Sequence, residues 1–178
     1  MANDKQYGGR GYPDLHDHIE TLRELGLLHE IDAPINKDTE LKPLVRWQFR
    51  GGIPESERKA FLFKNVTDSH GNKYDIPLVV GALATTPEIY GIGMGVPVSD
   101  IGEHWKKALA APISPVEVQD APCHEVILTG ADIDGEGKGL DALPVPISTP
   151  GFDVAPYLTA TSCISRDPDT GVQNMGTY

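Results

Sequence analysis

Several things are scarce in this sequence, and each scarcity removes a class of function. No apolar run approaches the roughly 20 residues that a membrane-spanning helix needs. The opening Met1-Ala2-Asn3-Asp4-Lys5-Gln6-Tyr7-Gly8 carries no apolar segment of the secretory-signal kind. Positive charge is short: 15 Lys and Arg stand against 26 Asp and Glu, a formal net charge of -11. That balance argues against nucleic acid or a membrane surface as partner, because both demand a basic face. Cysteine is limited to Cys123 and Cys163, far apart and without CxxC spacing. They suggest neither a zinc site nor a disulfide framework, and they fit a reducing cytoplasm.

Glycine and proline, at 19 and 15, are plentiful and favour short strands and turns over a helical bundle. A chain of 178 residues can hold one sizeable core, or a small domain and the start of a second. Residues 1–12 are glycine-rich and polar and read as a flexible lead-in. From Asp14 the pattern is helical, with Leu15, Ile19, Leu22 and Leu25 on one stripe and Gly26 as stop. Residues 27–31 read as a short strand. A second helix is expected over 39–49, with Leu41, Leu44, Val45 and Phe49 as its apolar face and Gly51-Gly52 ending it.

Strands follow at 60–63 and 77–81, separated by the turn Asp68-Ser69-His70-Gly71-Asn72. One helix opens at Pro87. Another spans 99–110 with Ser99 as N-cap and Ile101, Trp105, Ala108 and Leu109 inward. Composition then shifts. Residues 124–129 give a strand signal, 141–151 an extended proline-rich loop, and 156–166 an alternating strand. Asp167-Pro168-Asp169-Thr170-Gly171 supplies a type I turn and a left-handed glycine, and 173–178 forms the returning strand. The division is a mixed α/β domain over 13–118 and a β-rich unit over 119–178, an α+β chain overall.

Most residue types that could carry chemistry here have a plainer explanation. Asp132, Asp134, Glu136 and Gly137 imitate the start of an EF-hand, but its bidentate twelfth position is Leu143, so an acidic surface turn is the better reading. The glycine clusters at 91–95 and 135–139 lack phosphate-loop spacing and read as turns. His16 and His18 are two apart on a helix, not four, and read as solvated. His104 and His124 each stand alone, and Cys163 reads as a buried inert thiol. Asn174 differs. On a strand beside a face of Thr and Ser hydroxyls, its amide oxygen suits a hard cation and its neighbours offer donors to a phosphate.

The stretch Ser165 to Tyr178, with Asp167-Pro168, Thr170-Gly171, Asn174, Gly176 and Tyr178, resembles the terminal hairpin pattern of the UbiD-type decarboxylases. Upstream segments agree in order: Asp14 to Ile31 with the family's first helix and strand, Ala60-Phe61-Leu62-Phe63-Lys64-Asn65-Val66 with its apolar strand. Leu143-Pro144-Val145-Pro146 and Asp153 to Thr159 resemble its pre-barrel loop and first barrel strand. The resemblance implies a small N-terminal α/β domain followed by the beginning of a split β-barrel of the flavin-reductase type. It implies reversible, non-oxidative decarboxylation of aromatic or α,β-unsaturated carboxylic acids, with prenylated FMN as cofactor.

It further implies Asn174 as a ligand to a divalent ion, typically Mn2+ with K+ as a further candidate, bridging to the flavin phosphate. Thr177 and Tyr178 fall on cofactor-contacting positions, through backbone or side chain. The family's catalytic arginine follows the position of Tyr178, and its histidine and acidic residues lie further on. The partners implied are a small carboxylic acid and further copies of the chain. Two other readings stay open: a non-catalytic assembly module derived from this family, and a flavin reductase that shares the barrel.

The 178 residues alone are therefore expected to release no carbon dioxide from an aromatic acid, and turnover by the purified chain would refute this. An incomplete barrel would also expose strand edges, so the same chain should self-associate or need a partner. A monodisperse monomer with one cooperative melt would contradict that.

Overall fold

The computed structural model describes residues 14–177, so the lead-in 1–12 and Tyr178 lie outside the described residues. Helix α1 (Leu15–Glu24) starts where Asp14, in extended conformation, accepts the Asp17 N–H at 3.0 Å. That bond satisfies one of the unpaired donors of the first turn. Gly26, at φ +71°, makes the left-handed turn that ends it.

Leu22 is fully buried, while Leu15 at the helix start is exposed. The solvated reading holds for His16 and fails for His18, which is fully buried with Nε2 2.6 Å from the Ala82 carbonyl oxygen. Four residues before Leu22, His18 lies on the same buried stripe, and the carbonyl compensates its ring for lost water.

Strands β1 (Leu28–Ile31) and β2 (Ile35–Asn36) lead into α2 (Leu41–Arg50), then β3 (Ala60–Phe63) and β4 (Val66–Thr67). After the 68–72 turn come β5 (Lys73–Tyr74) and β6 (Leu78–Val80). β3 is the centre of the main sheet, parallel to β1 and antiparallel to β6. All four of its residues are buried. By strand alternation its two faces feed two cores. Phe61 and Phe63 join Leu41, Val45, Ile35 and Val66, while Ala60 joins Leu22, Ala82, Ile89 and Ile92.

The second sheet, ordered β2-β4-β5, consists of two-residue strands too short to leave a periodic signal in the sequence. On α2 the expected apolar face is corrected: Leu41 and Val45 are buried, but Leu44 and Phe49 are exposed and Gln48 replaces them inside. The Gln48 amide grips the backbone of Lys59 at both ends, donating to its carbonyl at 3.1 Å and accepting its N–H at 3.0 Å.

Helix α3 (Pro87–Met94) is capped by the Thr86 hydroxyl, which accepts the Ile89 N–H at 3.1 Å. Helix α4 (Ile101–Ala110) starts later than expected. Ser99 lies in a preceding 3-10 turn and donates to the Asp100 carboxylate instead of capping. Its inward face is uncovered, with Leu109 76% exposed and Trp105 half-exposed but donating to the Tyr90 hydroxyl at 2.7 Å.

The expected strand at 124–129 does not form. Its register finds no partner strand, and Val126, Ile127 and Leu128 stay exposed beside a 3-10 turn at Pro122–His124. The strand expected from Pro156 begins only at Ser162, after Ala160 takes the left-handed φ of +58°. From there β7 (Ser162–Arg166) pairs antiparallel with β8 (Gln173–Thr177). That hairpin is the β structure among the described residues after 119. Cys163, expected buried, is exposed, as are all five residues of β7. No helix among the described residues is long and apolar enough to cross a membrane.

The 68–72 turn is organised by one buried carboxylate. Asp68 accepts the N–H groups of His70 and Asn72, the Asn72 side-chain amide at 2.9 Å and the Tyr74 hydroxyl at 3.1 Å. Burial pushes this carboxyl up, but the bonds from Asn72, Tyr74 and His70 outweigh it and hold Asp68 at about 2. Next to it, Lys37 and Asp38 form a buried ion pair at 2.7 Å, and Asp38 also accepts the Ser69 N–H.

Asp68→Ala strands several donors and should cost about 2 kcal/mol in urea denaturation. Because the folded pKa lies below the unfolded value of about 3.9, Asp68 contributes stability above pH ~4. That stability is lost as pH falls toward 2. The variant should show a shallower acid decline in that window, and an unchanged one would contradict the assignment.

Candidate functional site

The hairpin that carries Asn174 is fixed by its turn. The Asp167 side chain accepts the N–H groups of Asp169 at 2.9 Å and Thr170 at 2.7 Å, which keeps its carboxyl below the usual range. Gly171 at φ +71° donates to the Asp167 carbonyl, and Asp167 N–H closes on Val172. These bonds set the register at Arg166 opposite Gln173, and from it every side chain's face follows.

Asn174 lies directly across from Ser165, and Gly176 from Cys163, so these four share one face of small polar groups. Ile164 opposite Met175 and Ser162 opposite Thr177 make the other face, on which Ile164 and Met175 are exposed. The two described residues assigned from sequence, Asn174 and Thr177, therefore project their side chains to opposite sides. Only the backbone of Thr177 can serve a ligand held on the Asn174 side. Tyr178, the third, lies outside the described residues. Among the described residues no group of three His, Cys, Asp or Glu is placed to hold a metal ion. His104 and His124 are exposed and join no cluster.

A second feature escaped the sequence reading. A cleft of about 850 Å³ opens between α2, β6 with the loop after it, and the segments 143–146 and 157–160. Lys42, Val45, Arg46 and Phe49 line it from one face of α2, at helical spacing. Arg46 spans to the proline-rich segment, donating to the Ser148 carbonyl at 2.9 Å and the Thr149 hydroxyl at 3.1 Å. Lys42 is half-buried, and burial, then the neighbouring Arg46, lowers the pKa of its amine. The signal was the Lys-x-x-x-Arg spacing around Val45, which in a sequence looks the same as two solvated charges. Asn174 does not line this cleft, but Tyr157–Ala160 in its wall leads almost directly into β7.

Comparison with known proteins gives these features a setting. Residues 19–109 match the family model described as the 3-octaprenyl-4-hydroxybenzoate carboxy-lyase N-terminal domain. Residues 114–178 match the Rift-related domain of the same carboxy-lyases. Among solved structures, the UbiD-class enzyme HmfF from Pelotomaculum thermopropionicum in complex with FMN is 30% identical, with a TM-score of 0.72. The match covers 92% of this chain and 33% of that one.

An evolved dimeric form of HmfF in complex with prFMN is 28% identical, with a TM-score of 0.75 over 93% of this chain and 35% of its own. Vanillic acid decarboxylase of Sedimentibacter hydroxybenzoicus, at 20% identity and a TM-score of 0.70, shares the fold over 95% of this chain and 35% of its own. The chain thus spans about a third of the length of the solved enzymes it matches.

Proposed function

Because the chain belongs to the UbiD carboxy-lyase family, we propose that it forms the N-terminal part of a reversible, non-oxidative decarboxylase of aromatic or α,β-unsaturated carboxylic acids. In this reading 13–118 is the α/β domain and 119–178 opens a split β-barrel of the flavin-reductase type. The cofactor is prenylated FMN with Mn2+, and K+ a further ion. The working protein is a cytoplasmic homo-oligomer.

The observation that carries this reading is the polar face of the β7–β8 hairpin, where Asn174 stands opposite Ser165 within a chain matched along its length to this family. The donor set suits one flank of a metal–phosphate site. An amide oxygen and a hydroxyl are ligands for a hard cation, whereas the Cys163 thiol on the same face is too soft to compete for it. With no acidic or histidine cluster among the described residues, this flank needs further ligands to close a coordination shell.

Asn174 would hold the ion through its side-chain oxygen, Ser165 would offer a hydroxyl to the phosphate, and Thr177 would contribute its backbone. Gly176 leaves that face without a side chain between them. When bound, prenylated FMN supplies the electron sink for the pair left as carbon dioxide departs.

Asn174→Ala, made in a version extended to the family's full length, should purify with about tenfold less bound manganese and flavin by metal analysis and absorbance. That factor corresponds to about 1.4 kcal/mol of lost binding. Unchanged content of both would remove Asn174 from the site.

A further inference from the structure

The cleft under α2 holds an electrostatic imbalance that nothing on the hairpin explains. Among the described residues its wall contains two cations, Lys42 and Arg46, and no aspartate, glutamate or histidine. In a chain of net charge -11 such a lining stands out. Arg46 donates from one guanidinium nitrogen, Nη2, to two neutral acceptors, Ser148 and Thr149, which tie it to the cleft wall. Lys42 has neither an ion pair nor a hydrogen-bond acceptor among the described residues. A half-buried ammonium without a counter-charge is costly, and the cost is relieved when an anion binds.

The remaining wall selects the anion's body. Val45, Phe49, Leu78, Val80, Pro144 and Leu158 make it mainly apolar. A volume near 850 Å³ lies within the usual range for small-molecule sites, which join apolar walls to a few placed polar groups. A phosphate dianion, strongly hydrated, gains little from such walls. A carboxylate attached to an apolar body matches both the Lys42 ammonium, which has no acceptor among the described residues, and the hydrocarbon lining.

We propose that this cleft binds an organic carboxylate, with the Lys42 ammonium as counter-ion and the apolar walls around α2 and β6 holding its hydrocarbon body. The inference stands independently of the decarboxylase reading, since it uses no residue of the β7–β8 hairpin.

The test uses 2-naphthoate as probe and neutral 2-naphthamide as control. Acetylation of lysine amines, followed by peptide mass spectrometry, reads the site directly and works whatever the chain's association state. Naphthoate should slow acetylation of Lys42 saturably while leaving the exposed Lys106 unaffected, and naphthamide should protect neither. By calorimetry, Lys42→Met, which keeps the apolar stem, should weaken naphthoate binding about tenfold, equivalent to about 1.4 kcal/mol. Lys42→Arg should retain most of it, and both variants should melt as the parent does. Absence of saturable protection would overturn the proposal and leave the cleft to an acidic segment of protein. Equal binding of naphthoate and naphthamide, or no loss in Lys42→Met, would overturn it as well.

Discussion

The arrangement of this molecule depends on burying β3 from both sides. A strand whose four residues are all inaccessible cannot leave either face to water, so the chain must supply cover twice. Phe61 and Phe63 draw α2 onto one face. Ala60, small enough to let a helix approach, receives Leu22 of α1 and Ile89 of α3 on the other. Once α2 is pressed onto the phenylalanines through Leu41 and Val45, its adjacent stripe of Lys42, Arg46 and Phe49 has one place to go. It becomes the wall of the cleft. The position of the two cations thus follows from core packing, and from it Arg46 reaches Ser148 and Thr149.

Residues with a local cause were readable in the sequence. Asp14 and Gly26 bound the first helix through one hydrogen bond and one left-handed residue, and Pro87 opens the third. The Asp167–Gly171 turn fixed the register that places Asn174 beside Ser165. Residues whose state depends on distant partners were not readable. His18 became a core residue because Ala82, 64 positions later, presents a carbonyl to it. Gln48 went inside because it grips Lys59, while Leu44 and Phe49, more apolar, stayed out. The 124–129 segment has the composition of a strand but pairs with none among the described residues, and β-propensity without a partner does not make a ladder.

The candidate site divides in the same way. The type and face of Asn174 follow from turn chemistry and period two, so the turn and its returning strand could be anticipated, though not the late start of β7 at Ser162. The cleft required knowing that segments 143–146 and 157–160 come to lie against α2, which no local pattern encodes. The family matches supply the setting for the hairpin and are silent on the cleft.

Arg46 has a mechanical meaning as well as an electrostatic one. Its bonds to Ser148 and Thr149 bridge 102 and 103 positions of chain. With the core already formed, the chain that the bonds close runs from the end of α4 at Ala110 to Ser148, and closing a loop of roughly that length costs about 3 kcal/mol in entropy. A charged donor's two hydrogen bonds return about 1.5–3 kcal/mol each. The guanidinium and the tether it closes are therefore nearly matched, with the buried Pro144 and Pro146 tipping the balance toward contact. Such a latch sits close to its release point: a load of a few kcal/mol on the proline segment would be enough to undock it while leaving the β3 core intact.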